Sequence, residues 1–177
     1  LDQVGLGYLT LGQRATSLSG GEAQRVKLAG EIARTVKSKR ALFVLDEPTV
    51  GLHRSDVARL VGALDALVVA GHTVVVVEHD LDVIQAADHV LELGPGAGSD
   101  GGDLCFAGSP EALAEADTPT GRVLRGRRGE EEPADSAANR AHPLVHQRPT
   151  ELLGVATNNL KGFDVAFPPQ AWTVVTG

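Results

Sequence analysis

Apolar positions along the chain alternate between helical stripes and short continuous runs. Val57, Leu60, Val61, Leu64, Leu67 and Val68 share one helical face, the spacing of an amphipathic helix. Ser55 is its expected N-cap and Gly71 its stop. Ala23, Val26, Ala29, Ile32, Ala33 and Val36 recur in the same way after a glycine pair, Gly20–Gly21. "ALFVLDEP" (41–48) and "HTVVVVEHD" (72–80) are unbroken apolar runs closed by acids, the pattern of strands buried on both faces of a parallel sheet. "LDVIQAA" predicts a short helix, "HVLELG" a third strand, "GPGAGSDGG" a turn-rich loop and "DLCFAG" an edge strand. "SPEALAEA" predicts a small helix with Ser109 as cap and Pro110 in its first turn. This alternation predicts an α/β fold with a mostly parallel sheet.

The periodicity fades over residues 118–149, which are polar and mixed in charge and predict a linker. Arg122, Arg125, Arg127 and Arg128 precede Glu130, Glu131 and Glu132. A solvated charged linker accounts for this cluster, and contact with nucleic acid is the alternative. From about Thr150 order resumes, with strand-like segments around a Pro-Pro turn and an apolar run, "TVVTG", at 173–177. Asn158–Asn159 predict a turn. The start at Leu1 and the apolar run closing on Gly177 give the expectation of a segment cut from a longer protein.

Composition narrows the class. Of 177 residues, 42% are hydrophobic and only 3% aromatic, so the core must be aliphatic. The net charge of −7 argues against coating nucleic acid or anionic membrane by bulk charge, though not against a local basic patch. A single cysteine, Cys105, excludes a disulfide framework, and no zinc site is expected within the chain. No apolar run reaches membrane-spanning length and no signal pattern opens the chain. A soluble, cytoplasmic protein with no membrane contact is expected.

Three stretches carry candidate chemistry. In Ser19-Gly20-Gly21-Glu22, a capping box explains the serine and the glutamate. The glycines leave bare N–H groups at the positive end of a helix, a seat for an anion. Asp46-Glu47 closes an apolar strand, where one acid can hold Mg²⁺ and the next can act on an attacking water. Acids that merely end a strand at a turn are the alternative. Glu78-His79-Asp80 closes the second run, and a histidine there can reach a phosphate on the same sheet edge or be a plain polar turn residue.

"LSGGEAQR", then "LDEPTVGLH", then "VVEHD" resemble the signature, the Walker B segment with its glutamate, and the switch histidine of ATP-binding-cassette (ABC) ATPases. "VGLGYLTLGQRATSLSGGEAQRVKLA", "LDVIQAADHVLELGPGAGSDGGDLCFAGSPEAL" and "NNLKGFDVAFP" resemble, more narrowly, the UvrA family of DNA-repair ATPases. The resemblance implies residues 1–117 as the C-terminal part of one cassette, 118–149 as a linker, and 150–177 as the opening strands of a second cassette. The phosphate loop GxxxxGK[ST] does not occur in the chain.

The resemblance also implies roles. Ser19, Gly20, Gly21 and Glu22 would meet the γ-phosphate of an ATP held by another cassette. Asp46 would order Mg²⁺ through water, Glu47 would polarise the attacking water, and His79 would steady the γ-phosphate. His53 and Asp56 would couple the two sites. Lys27 and Arg25 would face ATP, the partner cassette or solvent. Asp46, Glu47 and His79 would serve a site whose phosphate loop precedes Leu1, and the signature a site whose loop follows Gly177. Implied partners are DNA, the second cassette, a second copy in a homodimer and a UvrB-like nuclease-loading protein. A UvrA-like drug self-resistance protein and a transporter ATPase are the alternatives.

Overall fold

The computed structural model describes residues 20–34, 40–96, 98–128 and 148–177. Ser19 and Val36 lie outside them, as does most of the predicted linker. In order, the elements are α1 (Gly20–Arg34), β1 (Leu42–Asp46), α2 (Arg54–Val69), β2 (Thr73–Val77), α3 (Leu81–Ala86), β3 (His89–Gly94), β4 (Asp103–Gly108), α4 (Pro110–Glu115), α5 (Pro119–Arg128), β5 (Thr150–Val155), β6 (Phe163–Phe167) and β7 (Trp172–Thr176). The main sheet runs β1-β2-β7-β3-β4. Its first four strands are parallel and β4 is antiparallel to β3.

Strand alternation builds two cores. Val74, Val76, Val90, Trp172 and Val174 face Leu60, Leu64, Leu67, Ile84 and Leu113 of the helices. Val75 and Leu91 face the opposite way, against Val165 and Phe167 of β6. Helices therefore cover one face and the β5–β6 hairpin the other. The central strands are buried on both faces, which is why they read as unbroken apolar runs. β1 departs from that expectation. It is an edge strand, with Leu42 48% and Val44 65% exposed, because the second core is built on β2, β3 and β7.

β7 fills the middle of the sheet. It lies in residues 150–177, which the resemblance assigns to the start of a second cassette, and it is paired on both sides, to β2 and to β3. Trp172 N–H donates to the Asp88 carboxylate at 2.8 Å, and Asp88 N–H donates back to the Trp172 carbonyl at 3.0 Å. Between two parallel strands there is a full set of backbone donors and acceptors to satisfy. A doubly apolar run such as "WTVVT" meets that demand and buries both its faces.

The predicted linker also changes at its start. Residues 119–128 form α5, and Leu124 is buried in the main core. Thr118 Oγ1 accepts from Gly121 N–H at 3.1 Å and Pro119 occupies the first helical position, a cap-then-proline start. The buried Glu92 carboxylate accepts from Thr120 N–H at 3.0 Å. The basic cluster is largely spent within the chain. Arg122 pairs with Asp117, Arg125 donates to the Ala114 and Ala116 carbonyls at the end of α4, and Arg127 pairs with Asp82.

At α2 the cap is His53 rather than Ser55: its ring accepts from Ser55 N–H. Among the described side chains of α1, Arg25 and Leu28 are buried and Ala29 packs against the core, whereas Ala23 and Val26 are exposed. The loop before β4 is held by the β5–β6 turn. Asn159 Nδ2 donates to the Gly98 carbonyl, Lys161 N–H to the Gly102 carbonyl, and Lys161 pairs with Asp103. Among the described residues no helix is long and apolar enough to cross a membrane.

Candidate functional site

Parallel strands deliver their C-terminal ends to one edge of the sheet, the usual place for ligands in open α/β folds. Here that edge carries Asp46-Glu47 at the end of β1, Glu78-His79 just after β2 and Thr176-Gly177 at the end of β7. A cavity of about 170 Å³ opens there, lined among others by Glu47, Glu78, His79, Thr176 and Gly177. Of the strand-end residues picked out in the sequence, Glu47, Glu78 and His79 thus line one cavity, and Asp46 is exposed one residue before Glu47.

Glu47 sits in the left-handed region, φ 43°. A non-glycine residue there costs on the order of 1–3 kcal/mol and persists only where its surroundings over-determine it. They do so here. Glu47 N–H donates to the Val77 carbonyl at 2.9 Å, and the Glu47 carbonyl accepts from Val50 N–H at 3.1 Å. The side chain is left exposed, with its carboxylate 3.9 Å from His79 Nδ1. That separation is beyond a hydrogen bond and leaves both groups directed at the mouth of the cavity.

Glu78 lies between them in sequence but points inward and is 2% exposed. Thr49 N–H donates to its Oε1 at 2.9 Å, and Thr49 Oγ1 donates to the same oxygen. His79 N–H and Asp80 N–H donate to Oε2 at 2.9 and 3.2 Å. Asp80 in turn caps α3 through its carboxylate.

Arg25 reaches the same turn from α1. It is 1% exposed, and its Nη1 donates to the carbonyls of Pro48 at 2.7 Å and Val50 at 3.1 Å. Facing ATP or solvent is therefore not its position in this structure, whereas Lys27 is exposed. The sequence points to Glu78 and Arg25 but not to their burial. For Glu78 the available signal was a carboxylate directly following a buried apolar strand. Among the other expected site residues, Gly20, Gly21 and Glu22 open α1, and Ser19 lies outside the described residues. His53 is occupied in capping α2, and Asp56 pairs with Arg59 at 3.1 Å on the surface.

β7 brings Gly177 to the Glu47–His79 cavity. A Cβ on Gly177 would lie 2.0 Å from the Leu93 carbonyl oxygen, and its φ is 149°, so only glycine fits this strand end.

No protein-family model matches the chain. Among curated proteins it is 46% identical over 178 residues to the UvrABC system protein A of Xylella fastidiosa, covering all of this chain and 18% of that protein. The UvrABC system protein A of Lactiplantibacillus plantarum is 42% identical over the same span. That of Methanothermobacter thermautotrophicus is 55% identical over 125 residues, 71% of this chain and 13% of that protein. Among solved structures, UvrA2 from Deinococcus radiodurans matches with a TM-score of 0.64 and 38% identity, over 94% of this chain and 19% of that one.

Proposed function

Because the chain belongs to the UvrA family, of whose curated members it spans less than a fifth of the length, we propose that it is part of an ABC ATPase that uses ATP to drive recognition of DNA damage in nucleotide excision repair. The observation that carries this reading is the convergence of Glu47 and His79 on one cavity at the C-terminal edge of the sheet.

The residues present fit ATP with Mg²⁺. Asp46 and Glu47 offer exposed, hard carboxylate oxygens, and Mg²⁺ is usually held by one or two carboxylates plus phosphate oxygens and water. No group of three His, Cys, Asp or Glu side chains among the described residues forms an all-protein metal cage. The cavity suits a phosphate group rather than a whole nucleotide. When bound, the ion would neutralise charge on the transferred phosphoryl group.

Asp46 would hold the ion through water. Glu47, kept apart from His79 by 3.9 Å, would orient and polarise the attacking water. His79 would donate to the terminal phosphate. Ser19 and the N–H groups of Gly20 and Gly21, with Glu22 behind them, would seat the γ-phosphate of an ATP held by the second cassette. Residues 150–177 would open that cassette. In the parent the ATP cycle would bias a clamp between conformations, with DNA, a second copy and a UvrB-like protein as partners in the cytoplasm. The 177-residue chain alone would be inactive, since the phosphate-loop motif does not occur in it.

Glu47→Gln in a full-length parent tests the reading. Hydrolysis at one site should fall by on the order of 100-fold while ATP binding persists, measured by single-turnover kinetics and by equilibrium titration. Intact turnover at that site, or robust turnover by the 177-residue chain alone, would sink it.

A further inference from the structure

We propose that Glu78 is a positioning residue for ATP hydrolysis: its buried carboxylate ties the Glu47 turn to the His79 turn and so fixes the relation between the two side chains that face the phosphate. The proposal rests on the ATPase reading above and assigns a role to a residue that touches neither nucleotide nor water.

The division of labour between its two oxygens carries the inference. Among the described residues, Oε1 accepts from Thr49, by N–H and by Oγ1. Oε2 accepts from the backbone N–H groups of His79 and Asp80. One carboxylate therefore links two turns that have no sequence continuity, and each oxygen serves one of them. Thr49 is inside the turn closed by Val50 N–H on the Glu47 carbonyl, so anchoring Thr49 anchors the backbone that holds Glu47 at φ 43°. The third tie is the Glu47 N–H bond to Val77, the residue before Glu78. A carboxylate suits this position because it is acceptor-only and has two equivalent oxygens. A glutamine would present an NH₂ to donors on one side, and an aspartate would be a methylene short.

The role differs from a purely structural one in what it predicts. Burying a carboxylate is a costly way to gain stability. Fixing the bearing of a general base against a phosphate ligand is worth far more, since a misplacement of about 1 Å can cost on the order of 100-fold in rate.

The test uses a full-length parent whose other ATP site has been silenced in its own phosphate loop. Glu78→Gln should lower kcat by on the order of 10- to 100-fold, with KM for ATP within about twofold of the parent. Thr49→Val should give part of that loss, and Thr49→Ser, which keeps the hydroxyl, should restore it. The double variant Glu78→Gln/Thr49→Val should be no slower than Glu78→Gln alone, because both break one link. A kcat within about twofold of the parent for Glu78→Gln, or losses that multiply in the double variant, would overturn the proposal. Hydrogen exchange in the nucleotide-free protein reads the tie itself. The amides of His79, Asp80 and Thr49 should exchange about tenfold faster in Glu78→Gln, and unchanged exchange would also overturn it. Glu47→Gln in the same background separates the two ideas: if it too leaves turnover intact, the ATPase reading fails, and the exchange measurement alone then decides whether the tie exists.

Discussion

Arg25→Ala should release α1 while leaving the sheet folded. A 15-residue helix is marginal by itself in water, so α1 depends on what it docks against. Among its described side chains two are buried, Leu28 at 2% exposure and Arg25 at 1%. Burying a leucine contributes about 1.5–3 kcal/mol. A hydrogen bond from a charged donor contributes a similar amount net, and Arg25 makes two, to Pro48 and Val50, from one nitrogen. Against this, Arg25 Nε is buried with no hydrogen-bond partner among the described residues, which costs about 1–3 kcal/mol. The balance leaves roughly 2–3 kcal/mol for the guanidinium, comparable with the leucine. Losing it should raise the opening of α1 by on the order of 30- to 100-fold. Native-state hydrogen exchange on the 177-residue chain reads this directly: protection should drop across 20–34 and stay unchanged in β2 and β7. Arg25→Met keeps the apolar stem and removes the stranded Nε, so it should lose less than Arg25→Ala. Equal protection of α1 in wild type and Arg25→Ala would refute the reasoning, as would an equal loss in β2.

Two further substitutions probe the scaffold. His89 is held below the usual histidine pKa by burial, and its Nδ1 has no hydrogen-bond partner among the described residues. The unfolded chain therefore takes up that proton first: the stabilisation is fully present above the unfolded pKa of about 6.5 and is lost as pH falls through it toward the folded value. Urea melts from pH 7.5 to 5.5 should show stability falling with pH, with a flatter profile in His89→Gln; superimposable slopes would exclude His89 as the source. Gly102→Ala should cost about 2–4 kcal/mol, because φ is +88° and a Cβ would lie 1.9 Å from the Asn159 carbonyl oxygen. The same melts measure it, and a loss below about 0.5 kcal/mol would show that the 157–161 turn yields freely.

What the sequence made legible was local. The stripe from Val57 to Val68 is the buried face of α2, and "TVVVV" is a buried central strand, because each pattern depends on nearest neighbours in one element. Glu47, Glu78 and His79 do line one cavity at the sheet edge, since parallel strands deliver their ends together. The misses have other causes. α5 was legible in principle: Thr118-Pro119 repeats the cap-then-proline start of Ser109-Pro110, but its arginines made it read as linker. The edge position of β1 and the slot taken by β7 depend on which elements pair across long sequence separations, and periodicity carries no such information. Arg25 and Glu78 sit inside for the sake of backbone groups on other turns, and hydrophobic patterning is silent about those.

The placing of β7 also bears on how the sheet is made. Its neighbours β2 and β3 are joined by one short helix and precede it by a long stretch of chain. Until β7 arrives, β2 and β3 face each other across a gap with their ladder groups unpaired, and Trp172 is missing from the middle of the main core. Non-local pairing of this kind closes a long loop before it gains its contacts, which makes folding slow and leaves two apolar strand edges open meanwhile. The strand that completes the sheet makes its pairings of longest sequence separation, and any other apolar strand that reached the gap first would compete with it.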